Sequence, residues 1–243
     1  MTEYAQYSRE ELLQKIARTR SLENDVLSGV DLREGRFAEL SISETRLLNT
    51  DLGFSDLTGA TCWGGRFHGV SLRRANLTRA DVRDSEFKGS DLNESNLFEA
   101  IIVKVKVEGC HFMNARADRV KLAHVEFVDS DLYGIRMPGA SILHSRFSDR
   151  RLGNASLIRA DLRRAFLLDV DMKDANLKDA QLENAVLINV DLTGANLAGA
   201  NLRNASLINC KTYLANFDHS NLAGVGHAGT KWDKISDVGA TWQ

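Results

Sequence analysis

The residues of this chain best suited to chemistry are two histidines twenty apart, His124 and His144, with Glu126 close by. Two imidazoles and a carboxylate form a sufficient ligand set for zinc. Lys104 and Arg164 extend the same twenty-residue series, however, and turn it into a basic strip that reads better as a solvated ridge than as a metal centre. Cys62, Cys110 and Cys210 show no CxxC spacing and are too few for a disulfide framework. No phosphate-binding glycine loop, nucleophile elbow or HExxH segment occurs. His68, His111 and His219 have no identifiable partner. The expectation is a protein without catalytic residues, metal or cofactor.

A formal net charge of −2 over 243 residues gives no global attraction to nucleic acid or to an acidic membrane. There is no run of eighteen apolar residues and no N-terminal apolar segment of the signal-peptide kind, so the expected setting is the cytoplasm. Pro138 is the only proline, although proline commonly punctuates turns. Something else must shape the turns.

Any functional side chain here is positioned by a repeat of five. From Leu32 onward, through Phe37, Ile42, Leu47, Leu52 and Leu57, an apolar residue recurs at every fifth position as far as Leu222. Only Ala117, Thr212 and His227 depart from large apolar residues or cysteine up to His227. Two residues before each centre stands a small residue, except at Leu40, Ile135 and Arg150. On an α-helix this period scatters the centres by roughly 140° each, and on a flat strand it sends them to alternate faces. A centre and the residue two before it do share one face of extended chain. Each pentapeptide therefore reads as a short extended side with two inward residues, followed by a corner.

Units such as "ADLRR", "VDLTG", "ANLAG" and "ANLRN" resemble those of the pentapeptide-repeat family. The resemblance implies an all-β fold, a right-handed quadrilateral β-helix of about ten coils, four units to each. Residues twenty apart then stack. Phe67, Phe87, Val107, Phe127 and Phe147 fall in one such column, Arg79, Glu99 and Arg119 in a second, and Asn176, Asn196 and Asn216 in a third. The large rings, alternating charges and amides that these columns gather support a coil of twenty.

The ends differ from the repeat. "YSREELLQKIARTR" reads as a short N-terminal capping α-helix with a Ser8–Glu11 capping box, Tyr7 stapled on Leu12, and an apolar face of Leu12, Leu13, Ile16 and Ala17. Trp232 and Trp242 occupy centre positions and can plug the last coil, while His227 and Asp237 at centres predict a dissolving repeat. The expected organisation is a helical cap over 1–28, the β-helix over 29–229 and an irregular tail over 230–243. Arg150, in "SDRRLGN", marks a distorted corner or a short excursion.

Two surface features stand out. The residues before the centre on one side form an acidic column of Asp31, Asp51, Asp91, Asp131, Asp171 and Asp191, interrupted by Ser71, His111 and Arg151. The family resemblance implies a partner for it, because some members bind DNA gyrase or topoisomerase IV by presenting DNA-like charge and so protect against topoisomerase poisons. Charge density argues against this. Duplex DNA carries about one charge per 1.7 Å, whereas the column offers at most one per coil. The second feature is apolar. Outward positions Phe166, Leu168, Val186, Ile188 and Ile208, with Val128 further along, cover adjacent coils over an area of a few hundred Å². Ile101, Val103 and Leu143 form a smaller cluster on the neighbouring side. The leading reading is a non-catalytic protein-binding scaffold that forms a homodimer through the larger patch, and the specific partner that the family resemblance implies for it is DNA gyrase or topoisomerase IV. The alternatives are a secretion-associated accessory or effector protein, which "SREELLQKIARTRSLEN" resembles, and a structural spacer.

Overall fold

The computed structural model describes residues 7–148 and 151–242. A helix, Arg9–Thr19, precedes a parallel β-solenoid whose coils are twenty residues long. One side of the solenoid is a ten-stranded parallel ladder from Val26–Ser28 to Ser206–Ile208, and an adjacent side is a seven-stranded ladder from Ser21–Glu23 to Ser141–Leu143. Single bridges at i, i+20 stack the two remaining sides, for example Asp31↔Asp51 and Asn176↔Asn196. Leu32 N–H donates to Asp51 O at 2.7 Å and Leu52 N–H to Ser71 O at 2.7 Å, so each coil satisfies the backbone of its neighbour.

Corners supply what prolines do not. Among the described residues, the second after each centre takes a left-handed conformation, as at Gly29 (φ 65°), Asn49 (φ 47°) and Asp174 (φ 56°). Even Phe54 (φ 60°) and Leu214 (φ 57°) adopt it, which shows the coil imposing a backbone shape that side-chain type alone disfavours. Two kinds of side result. Where Asp or Asn precedes the centre, its side chain commonly accepts the N–H two residues on, and the chain turns at once. Gly53 N–H to Asp51 (2.9 Å), Lys178 N–H to Asn176 (3.1 Å) and Arg203 N–H to Asn201 (3.2 Å) are examples. The ten-stranded column carries no Asp or Asn there, and it stays extended throughout. The seven-stranded ladder ends where Asp161 follows Ser141 in its column and captures Arg163 N–H at 3.1 Å.

Centres and small residues fill a continuous core. Phe67 stacks on Phe87 with centroids 4.4 Å apart, and Phe127 on Phe147 at 4.9 Å. Gly35 and Gly65 sit beside the rings of Phe37 and Phe67, where an added Cβ would lie 2.1 Å and 2.8 Å from ring carbons. Val107 interrupts the phenyl column, and a void of about 40 Å³ opens among Leu77, Phe87, Val107, Phe112 and Phe127. Leu40 and Ile135, the large residues at positions expected to be small, are buried and accommodated.

The boundaries differ from expectation at both ends. The solenoid begins at Ser21, inside the stretch 1–28 expected to be cap, because Leu22 and Leu27 pair with Ile42 and Leu47 and already belong to the repeat. Bridges run on past residue 229, through Lys211↔Lys231, Asn216↔Ser236 and Asn221↔Thr241, so coil backbone continues through most of the stretch expected to be irregular. What changes there is burial: His227 and Asp237 are exposed, while Trp232 packs edge-on against Phe217 (5.3 Å) and Trp242 (5.0 Å). Arg150 lies outside the described residues.

The helix carries the expected capping box and buries Leu12 and Ile16, but Ala17, expected on its apolar face, is exposed; Arg9 Nε also donates to Asp31 O at 2.9 Å. Glu11 N–H donates to Ser8 Oγ (3.2 Å) and Ser8 N–H to Glu11 Oε2 (2.9 Å), closing the capping box. Leu12 and Ile16 are buried on the first coil. Below them the Lys15 ammonium pairs with the buried Asp25 carboxylate, which also accepts from Tyr7 Oη at 3.3 Å.

Candidate interaction surface

The larger apolar patch is assembled as its spacing requires. Strands Phe166–Leu168, Val186–Ile188 and Ser206–Ile208 are consecutive in the ten-stranded ladder, with Phe166↔Val186↔Ser206 and Leu168↔Ile188↔Ile208 in register. All five apolar side chains point away from the core and are half-buried by one another. The Arg146 guanidinium lies 5.1 Å from the Phe166 ring centre and closes one edge of the patch. Val128 is separated from it by Ser148, which is buried and bonded to Phe127 O at 3.3 Å.

Beyond Arg146 the same face is charged and self-compensating. Arg66, Glu86, Lys106, Glu126 and Arg146 succeed one another along the outer column. Glu108 binds Lys106 and Lys88, each at 2.8 Å, and these hydrogen bonds, that of Lys106 first, hold its carboxyl down at about 2. One flat face therefore has a charged half and an apolar half.

The six aspartates do stack in one column, but each carboxylate is engaged locally. Asp31, Asp51, Asp91, Asp131, Asp171 and Asp191 accept the N–H two residues on at distances from 2.9 to 3.1 Å. Arg33 bridges Asp31 (2.7 Å) and Asp51 (3.7 Å), and its hydrogen bonds hold the Asp31 carboxyl far below the usual range. Lys173 and Lys211 approach Asp191 at 3.4 and 3.5 Å. Burial raises the Asp191 carboxyl, but the Thr193 hydrogen bonds and the two lysines outweigh it and lower the net value. The column is thus a row of turn-forming hydrogen bonds with its charge largely answered.

His124 and His144 stack face to face, with centroids 5.2 Å apart and planes 9° from parallel. No cluster of three or more His, Cys, Asp or Glu suited to a metal occurs among the described residues. Cys62 and Cys110 are buried, and burial pushes each thiol up to about 11; burial raises Cys210 as well. The smaller apolar cluster is joined in register, Val103↔Ala123↔Leu143, with Ile101 on the same strand as Val103. Sequence reasoning missed Trp63, which stands two coils before Val103 in that column and is 54% exposed; it occupies an outward position, and the twenty-residue spacing Trp63–Arg83–Val103 would have revealed it. It also missed Asp25, whose acidic side chain at an inward position was legible once the register is stepped back from Leu32 to Leu27.

No helix among the described residues is long and apolar enough to cross a membrane. The family model for pentapeptide repeats matches in 8 copies, over residues 36–74, 75–114, 143–179, 151–189, 175–211 and 185–224. None of the curated proteins matches the chain. Among solved structures, HetL from the cyanobacterium Nostoc sp. strain PCC 7120, a pentapeptide repeat protein involved in heterocyst differentiation regulation, is 21% identical over 95% of both chains with a TM-score of 0.66. At that identity the likeness is one of fold. Full-length QnrB1, a plasmid-mediated fluoroquinolone resistance protein, is 19% identical over 92% of this chain and 93% of its own, with a TM-score of 0.34 that supports no inference.

Proposed function

The chain belongs to the pentapeptide-repeat family, and on that premise we propose that it is a non-catalytic protein-binding rod that self-associates through the apolar end of its ten-stranded face. The observation that carries this reading is the in-register block Phe166, Leu168, Val186, Ile188 and Ile208 on a side otherwise lined by charge. A flat stack of aliphatic side chains gains little from water and much from a matching surface. The area is small for an interface, so the dimer belongs in the micromolar regime.

Topoisomerase binding by DNA mimicry draws less support. Its acidic column has at most one carboxylate per coil, and those carboxylates are occupied by backbone N–H groups and by Arg33, Lys173 and Lys211. Two substitutions separate the readings. Ile188→Asp places a charge in the patch and leaves a monomer by light scattering, whereas Asp131→Asn keeps the turn and leaves the dimer intact. A dimer that survives Ile188→Asp excludes the patch as the contact. Inhibition of gyrase supercoiling that Asp131→Asn weakens and Ile188→Asp does not would favour mimicry instead.

A further inference from the structure

The charged half of the ten-stranded face constrains how two copies meet. Each strand presents two outward residues, one in each of two columns about 7 Å apart. A two-fold axis can run across the rod or along it. An axis across the rod at Val186–Ile188 buries the apolar block in an antiparallel pair, but leaves the charged coils overhanging. An axis along the rod exchanges the two columns at the same height, so each strand faces its own counterpart reversed.

That second arrangement is self-complementary along the face. Glu86 then faces Lys88 of the second copy, and Lys106 faces its Glu108. Phe166 faces Leu168, Val186 faces Ile188, and Ser206 faces Ile208. Arg46, Glu126 and Arg146 meet the uncharged Leu48, Val128 and Ser148, and Arg66 meets His68. No two residues that both carry a fixed like charge are opposed. Because Lys106 and Glu108 already attract within one strand, with 2.8 Å between them, each copy presents a transverse dipole that the rotation inverts.

We propose that the partner on this face is a second copy of the chain in parallel alignment, related by a two-fold axis along the solenoid and locked in register by the Glu86–Lys88 and Lys106–Glu108 pairs. This rests on the self-association proposed above, whose contact it specifies. The charged coils set orientation and height, and the apolar coils supply the attraction, a division of labour common to specific interfaces. In either antiparallel alternative one half of the face loses its match: centring on the apolar block strands the charges, and centring on the charges leaves Ile188 and Ile208 uncovered.

The test is a distance. Ser28 is exposed at the first strand of the face, and Ser28→Cys accepts a spin label while the buried native thiols do not. Parallel copies place the two labels within about 20 Å, because strands face strands at equal height. Antiparallel copies centred on Val186–Ile188 separate them by eight coils twice over, roughly 77 Å. A short pulsed-dipolar distance supports the proposal. A long one overturns the parallel register while leaving self-association standing, and a monomer at every concentration removes both. As a second arm, Glu86→Lys sets like charges opposite each other twice and weakens the dimer roughly fivefold. Adding Lys88→Glu restores it; a restoration that fails while the melting temperature is unchanged also overturns the register.

Discussion

Replacing Val107 by phenylalanine should stabilise the protein, because it completes a column that the sequence leaves interrupted. Phe67 and Phe87 already stack at 4.4 Å and Phe127 and Phe147 at 4.9 Å, with Val107 between the two pairs. The void beside Val107 measures about 40 Å³. At roughly 24 cal/mol per Å³, filling it returns about 1 kcal/mol. Two new ring contacts contribute about 0.5–1.5 kcal/mol each. Against this stands overpacking, which costs about 1–3 kcal/mol where neighbours must shift. The balance is a gain of about 1 kcal/mol, or a rise of about 2–4 °C in Tm for a chain of this size. Differential scanning calorimetry of Val107→Phe and Val107→Ala reads both directions. Val107→Ala enlarges the void and loses about 2 kcal/mol. A Phe variant that melts below the wild type would refute the assignment of the void to the missing ring.

Two further outcomes follow from the electrostatics. Hydrogen bonds from Thr58 to Asp56 and from Arg163 to Asp161 hold both carboxyls below the ordinary aspartate value. Their contribution to stability is therefore complete above about pH 4 and is lost as pH falls through the lowered folded values. Urea midpoints should decline between pH 5 and pH 2, and Asp161→Asn, which keeps the acceptor for Arg163 N–H but removes the charge, should flatten that decline by lowering the midpoint at pH 7 while changing little at pH 2. Removing the ammonium beside Asp25 leaves a buried carboxylate without its cation. Lys15→Ala should cost about 2 kcal/mol, raise amide exchange in Ser21–Glu23 and Val26–Ser28, and recover most of the loss when combined with Asp25→Ala.

The coil was legible because its determinants are periodic. Leu27, Leu47, Phe67 and Phe87 fall in one column by counting alone, and their in-register pairing is what the structure reports. The apolar block was legible for the same reason, since outward aliphatics twenty apart must be neighbours. What counting could not supply was the direction of a short side chain's hydrogen bonds. The aspartates from Asp31 to Asp191 read as a charged stripe until their carboxylates are seen turned back onto their own backbone. The same bonds accompany many of the tight bridges, as where Asp161 follows Ser141 in its column. Asp25 was missed because the register was started at Leu32, one five-residue unit too late to place an acid among inward small residues. The helix ends were less legible than the repeat, because the stretch beyond Leu222 keeps the backbone pairing while losing the buried centres that signal it.

Sedimentation equilibrium across a concentration series reads self-association through the apolar block without any label. The mass is expected to rise from 26.9 kDa toward twice that value with a midpoint in the micromolar range, and Ile188→Asp to remain at 26.9 kDa throughout. A wild-type chain that stays at 26.9 kDa to hundreds of micromolar, or an Ile188→Asp chain that dimerises equally well, would contradict it.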